Sequence, residues 1–175
     1  MIVDAFLRWI ETAPTAQRAE ATDALARSWL HADLSKDERD GLESAMTVLL
    51  DDPAPVVRKA LALALADAED APRHVILSLA NDQPEIAAIV ARRSPVLTEG
   101  ELVDLVATSD WSVQAAIAER WNLSKSLCAA LCEVGDPPAC VCLALNLDAP
   151  IPAFSLKRLA DRLGEDAHVR EALLA

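Results

Sequence analysis

The chain has 175 residues, 28 of them acidic and 16 basic, for a formal net charge of −12. That balance counts against a phosphate-backbone binder and against docking on anionic lipid, since both depend on clustered Lys and Arg, and no dense basic run occurs. Four glycines, no tyrosine and a wealth of Ala and Leu favour helix over sheet.

The stretch from Met1 to Arg8 lacks a basic leader and sets Asp4 inside its apolar run, so it does not read as a signal peptide. No window approaches the roughly 18 apolar residues that a membrane helix needs. The four cysteines read as reduced thiols, which makes the cytoplasm the expected location. Residues 2–12 form an amphipathic helix with Ile2, Phe6, Trp9 and Ile10 on one face, and Pro14 ends it or starts the next. Thr15 to Leu30 is a second helix, with Ala21, Leu25, Ala26 and Trp29 at helical spacing. Ser35 and Glu38 form a capping box before a helix that carries Leu42, Met46, Leu49 and Leu50 inward.

From Pro53 a phrase recurs. It reads Val57-Arg58-Lys59-Ala60-Leu61-Ala62, then returns around Ala87, Gln114, Cys140 and Arg170, at steps of 29, 27, 26 and 30 residues from Arg58. A repeat of this length marks stacked supersecondary units. Asp52, Asp82, Asp110, Asp136 and Asp166 precede the copies and are good N-caps, so each copy opens a helix. The expected spans are 54–66, 83–93, 111–121, 137–147 and 166–174. Partner helices fall at 71–80, 98–108, 124–134 and 153–163, with Gly135 and Gly164 where helix ends commonly take a left-handed residue.

The position four after each anchor holds Ala62, Ala91, Ala118, Ala144 and Leu174, a column suited to close helix crossings. The positions one before and three after supply the core. Those one and five after point away from it and hold Lys59, Leu63, Ala88, Arg92, Ala115, Glu119, Val141 and Leu145. This last column is the expected partner-binding groove, apolar with interspersed charges.

The phrase, its Asp-led turn and the paired helices resemble HEAT-like repeats, with a shorter step than is usual there. Asp52-Pro53-Ala54-Pro55-Val56-Val57-Arg58, Asp70-Ala71-Pro72-Arg73 and Arg93-Ser94-Pro95-Val96-Leu97, followed by Leu102 and Leu105, resemble an alphaproteobacterial family known as domain of unknown function 2336. The resemblance runs from about residue 20 to the C-terminus. It implies an all-α, HEAT-like α-solenoid of stacked antiparallel helix pairs, a right-handed superhelix, in a bacterial cytoplasm. It brings no activity and no catalytic residue. It gives Asp52 and Arg58 the task of tying neighbouring repeats together, a ladder that Ala87, Gln114 and Cys140 would break.

Cys128, Cys132, Cys140 and Cys142 lie close in sequence, but Cys140 and Cys142 stand roughly 200° apart on their helix, so four thiolates cannot converge on a metal. Cys132 and Cys140 flank one turn and could pair only under oxidation. His31, His74 and His168 are scattered, and no nucleophile–base arrangement or phosphate loop is present. HEAT-like DNA glycosylases set tryptophans and a carboxylate on a concave, basic surface. Trp111, Glu119 and Trp121 resemble that set superficially, in an acidic chain.

The reading is one α-helical repeat domain over 1–175, with capping helices over 1–34, HEAT-like repeats over 35–175 and about twelve helices in all. The expected role is a non-enzymatic scaffold that holds a protein segment on its concave face. It is read as a monomer or weak homodimer, with no cofactor, metal, nucleic acid or membrane. The alternative is an enzyme or ligand-binding protein with its site near Trp111 and Trp121.

Overall fold

The computed structural model describes residues 2–175, with side chains from Ala5 onward. Among these residues there are twelve α-helices and no strand. They are α1 Ile2–Ile10, α2 Thr15–His31, α3 Lys36–Leu49, α4 Pro55–Leu65, α5 Arg73–Ala80 and α6 Pro84–Arg93, followed by α7 Glu99–Thr108, α8 Trp111–Ala118, α9 Lys125–Val134, α10 Pro137–Leu145, α11 Ala153–Leu163 and α12 Ala167–Leu174.

Local chemistry sets the starts. Ser35 accepts from the Glu38 amide while Glu38 accepts from Ser35, and Thr98 and Glu101 repeat this capping box. Ser124 accepts from the Leu127 amide. Pro55, Pro84 and Pro137 occupy first-turn positions, where a missing N–H costs nothing. The turn aspartates divide on this account. Asp110, Asp136 and Asp166 are N-caps, but the proline starts of α4 and α6 move the cap to Ala54 and Gln83, one or two residues past Asp52 and Asp82. The phrase helix expected to reach residue 121 ends at Ala118. The chain turns through Glu119 there, and Arg120 is buried against a neighbouring helix end.

The chain folds as two compact units, the first running through Val90 with Ser94–Val96, the second comprising Ala91–Arg93 and Leu97–Ala175. In the first, α2 packs along α4 and against α3, α1 rests on α3, and α4 contacts α3 and α5. Its core is built from Trp29, Met46, Leu49, Val57, Leu61, Leu65, Ile76 and Leu79, all nearly or fully buried. Arg39 lays its guanidinium 4.7 Å from the Trp29 ring centre. In the second unit α8, α10 and α12 pack in one row and α7, α9 and α11 in another, with α7–α8, α8–α9, α9–α10 and α11–α12 contacts between the rows. Ile117, Leu131, Leu143 and Leu159 are fully buried there.

The alanine column is core where expected: Ala62, Ala91 and Ala118 are all fully buried. Ala144 is half-buried and Leu174 is exposed, so the column weakens toward α12. Two expectations are corrected. Trp9 is 39% exposed, with its ring centre 6.1 Å from that of Phe6 on the same helix. No glycine has a positive φ. Gly135 is extended, and a Cβ there would stand 2.5 Å from the Leu131 oxygen and 3.2 Å from Cys140 Sγ, so crowding rather than handedness requires glycine. Gly164 is right-handed, and a Cβ there would collide with the Ala160 oxygen.

Candidate functional site

The anchor position of the phrase ties helix to turn. Arg58 donates Nε and Nη2 to Asp82 at 2.6 and 2.9 Å, and Nη1 to the Asp52 carbonyl at 2.5 Å. Arg18 on α2 repeats the arrangement with Asp52 (2.8 and 3.0 Å) and the Ala13 carbonyl (2.8 Å). Thus α2, read from sequence as a capping helix, carries an anchor of its own, with buried Thr22 four residues on. The Arg58 hydrogen bond holds the Asp82 carboxyl below its ordinary range against the effect of burial. Burial pushes Asp52 up, but the bonds from Arg18 and the Ala54 amide, with both arginine charges, leave it lowered.

The ladder breaks at Ala87, whose side chain has no hydrogen-bonding group, and at the later copies it changes chemistry. Buried Gln114 donates Nε2 to the Val106 carbonyl and accepts at Oε1 from the Asp136 amide, both at 2.8 Å. At the next copy Cys140 Sγ lies 3.4 Å from the Gly135 oxygen, and Arg162 of α11 bonds that oxygen at 2.7 Å and the Cys132 carbonyl at 3.1 Å. The far ends of these helices are tied as well. Arg120 donates to the Ala91 carbonyl at 2.6 Å, and Asn146 to those of Ala118 and Arg120 at 2.8 and 3.0 Å. Arg120 and Asn146 both stand six residues after their anchors.

The expected groove residues divide. In the first unit Lys59 is exposed, Leu63 is 48% exposed and Ala88 is half-buried. In the second, Arg92 and Glu119 pair with each other at 2.8 Å in solvent, and Cys142 Sγ stands 3.8 Å from Glu119. Val141 is half-buried and Leu145 is 54% exposed. Ala115 is corrected: it is buried, because α8 is enclosed on almost every side and all six residues from Val113 to Ala118 are covered.

Sequence reasoning did not foresee the clefts. One of about 340 Å³ opens between the first turns of α10 and α12, lined by Pro137, Pro138, Val141, Asp166 and His168. Another of about 320 Å³, in the first unit, opens over the Arg18–Asp52 pair beside Ile10, Val48 and Pro53. Trp111, the first residue of α8, and Trp121, three residues past its end, are 53% and 81% exposed. Glu119, the carboxylate grouped with them in the sequence reading, is engaged by Arg92.

Cys128, Cys132 and Cys140 are buried, Cys142 is half-buried, and all four are free thiols. Burial pushes the Cys132 thiol up to about 12, with its cysteine neighbours adding to the effect. Among the described residues no group of three or more His, Cys, Asp or Glu is placed to hold a metal ion. Nor is any helix there long and apolar enough to cross a membrane.

Comparison with curated proteins and with solved structures finds no match. The model of one family, described as "Uncharacterised protein conserved in bacteria (DUF2336)", matches residues 86–175, just over half of the chain and everything from the second copy of the phrase onward. The chain belongs to this bacterial family.

Proposed function

We propose that the protein is a non-enzymatic interaction module of the bacterial cytoplasm, a HEAT-like, right-handed α-solenoid that holds a protein segment along the column one and five residues after each anchor. What supports the reading is the pair Leu63 and Leu145: both stand five residues after an anchor, and both leave about half their surface in water on helices whose positions one before and three after the anchor (Val57 and Leu61, Ala139 and Leu143) are fully buried. Apolar positions of this kind supply most of an interface's affinity, while rim charges such as Lys59, Arg92 and Glu119 steer and select.

Leu63→Asp and Leu145→Asp test it. Each variant should melt within about 2 °C of wild type, since exposed substitutions change stability little. Together they should abolish recovery of the proteins that the tagged wild-type chain retains from native lysate. Variants that stay folded and retain the same proteins would defeat the reading. Variants that unfold would show the column to be core.

A further inference from the structure

The cleft over the first rung of the ladder has an unbalanced charge. Its floor is the Arg18–Asp52 pair, both side chains largely buried, with the remaining guanidinium nitrogen bonded to the Ala13 carbonyl. That pair is neutral as a whole. The walls are apolar: Ile10, where α1 ends, with Val48, Leu49 and Pro53, where α3 gives way to its turn. Two more carboxylates line the cleft, Glu11 one residue past α1 and Asp51 two residues past α3. Both are exposed. Among the described residues neither side chain makes a hydrogen bond or an ion pair, and no cation other than Arg18 lines the cleft.

These two acids do nothing for the helices they follow. The C-terminal end of a helix carries the negative end of its macrodipole, so it favours Lys or Arg and disfavours Asp or Glu. Two such ends border this cleft, and α3 has no basic residue in its last turn. Glu11 and Asp51 thus add two uncompensated charges to two negative helix ends, beside a wall that includes half-exposed Val48. A cation carried on an apolar stem answers both features, since its methylenes can lie along the wall while its head stays at the rim. A volume of about 320 Å³ is at the lower end for ligand pockets and takes a long side chain rather than a bulky cofactor.

We propose that this cleft receives the side chain of a lysine or arginine borne by a partner protein segment. The stem packs along Ile10, Val48 and Pro53, and the charged head meets Glu11 and Asp51. The assignment rests on the interaction-module reading and names a residue class that the partner must carry.

The test is an amide-NMR titration of the isotopically labelled full chain with short capped Gly–Ser peptides that differ at one central residue. Peptides with Lys or Arg there should move the amide signals of Glu11, Val48, Leu49 and Asp51, and salt should weaken them. Norleucine, which keeps the stem and drops the charge, and 2,4-diaminobutyrate, which keeps the charge on a shorter stem, should bind at least about three-fold more weakly than Lys. Glu11→Gln and Asp51→Asn should each lose about three-fold in affinity and together about ten-fold. Both should melt at or slightly above wild type, because each removes a carboxylate from a helix C-terminus. Asp33→Asn, an exposed control elsewhere, should change nothing. The assignment is overturned if neither basic peptide binds, if the signals move elsewhere, if Asp33→Asn matches the two cleft variants, or if those variants lose stability. Should that happen while Leu63→Asp and Leu145→Asp still abolish partner recovery, the module reading stands and only this site fails.

Discussion

Removing one acceptor from the buried ladder gives its sharpest test. Asp82→Ala deletes both acceptors of the Arg58 guanidinium in a pair whose side chains are only 15% and 13% exposed. A solvent-exposed ion pair contributes about 0–1 kcal/mol, whereas stranding one member of a buried pair costs about 3–5 kcal/mol. Arg58 keeps its bond to the Asp52 carbonyl and some contact with water, which sets the loss at about 2–3 kcal/mol. For a chain of this size that is about 4–12 °C in melting temperature. Arg158 and Glu133 make a pair of the same bidentate form, at 2.9 and 2.8 Å, but with side chains 54% and 53% exposed, so Arg158→Ala should scarcely move the melt. Protonation mimics the mutation. Because the folded-state pKa values of Asp82 and Asp52 are lowered, their stabilisation is present in full above the unfolded value of about 3.9 and is lost as pH falls through the folded ones. Asp82→Ala should accordingly lose less stability than wild type between about pH 5 and pH 3. Circular-dichroism melts of wild type and both variants at several pH values decide the matter. Equal losses for the two variants, or a loss under about 1 kcal/mol for Asp82→Ala, would refute the reasoning.

Two further outcomes follow from packing. Ala118→Leu should cost about 1–3 kcal/mol by overpacking a fully buried position, while half-buried Ala88→Leu costs little; urea titrations giving the reverse order would show the helix faces misassigned. At neutral pH a thiol reagent should label at most Cys142 in the native chain and all four cysteines in urea, because burial raises the Cys128, Cys132 and Cys140 thiols; mass mapping that finds native Cys132 as reactive as a free thiol would contradict this.

The helices were legible because their signals are local. A capping box at Ser35 and Glu38, another at Thr98 and Glu101, and prolines in first turns fix where helices begin, whatever packs on them later. Faces were harder to read, since the burial of Ala115 depends on α8 being walled in by neighbours far along the chain. Arg18 escaped notice because it lies forty residues before Arg58, outside the period of the later copies. A visible trace was there: Arg18 with Thr22 matches Arg58 with Ala62. Gln114 carries no charge and so reads as a break in a ladder of ion pairs, yet an amide offers a donor and an acceptor and bridges as well. The cleft at α10 is lined by Pro137 and Pro138, which follow the Asp136 from which the start of that helix is read.

The shortness of these helices governs how the chain is made. From α4 onward they run to 8–11 residues, and an isolated helix below about 12–15 residues is marginal in water. Only α2, with 17 residues, and α3, with 14, reach that length. On the ribosome, therefore, α8 cannot settle when it emerges; it must wait for α10 to supply the Asp136 amide for Gln114 and Asn146 for its final carbonyls. A nascent chain stalled before α10 emerges therefore exposes α8 without those partners.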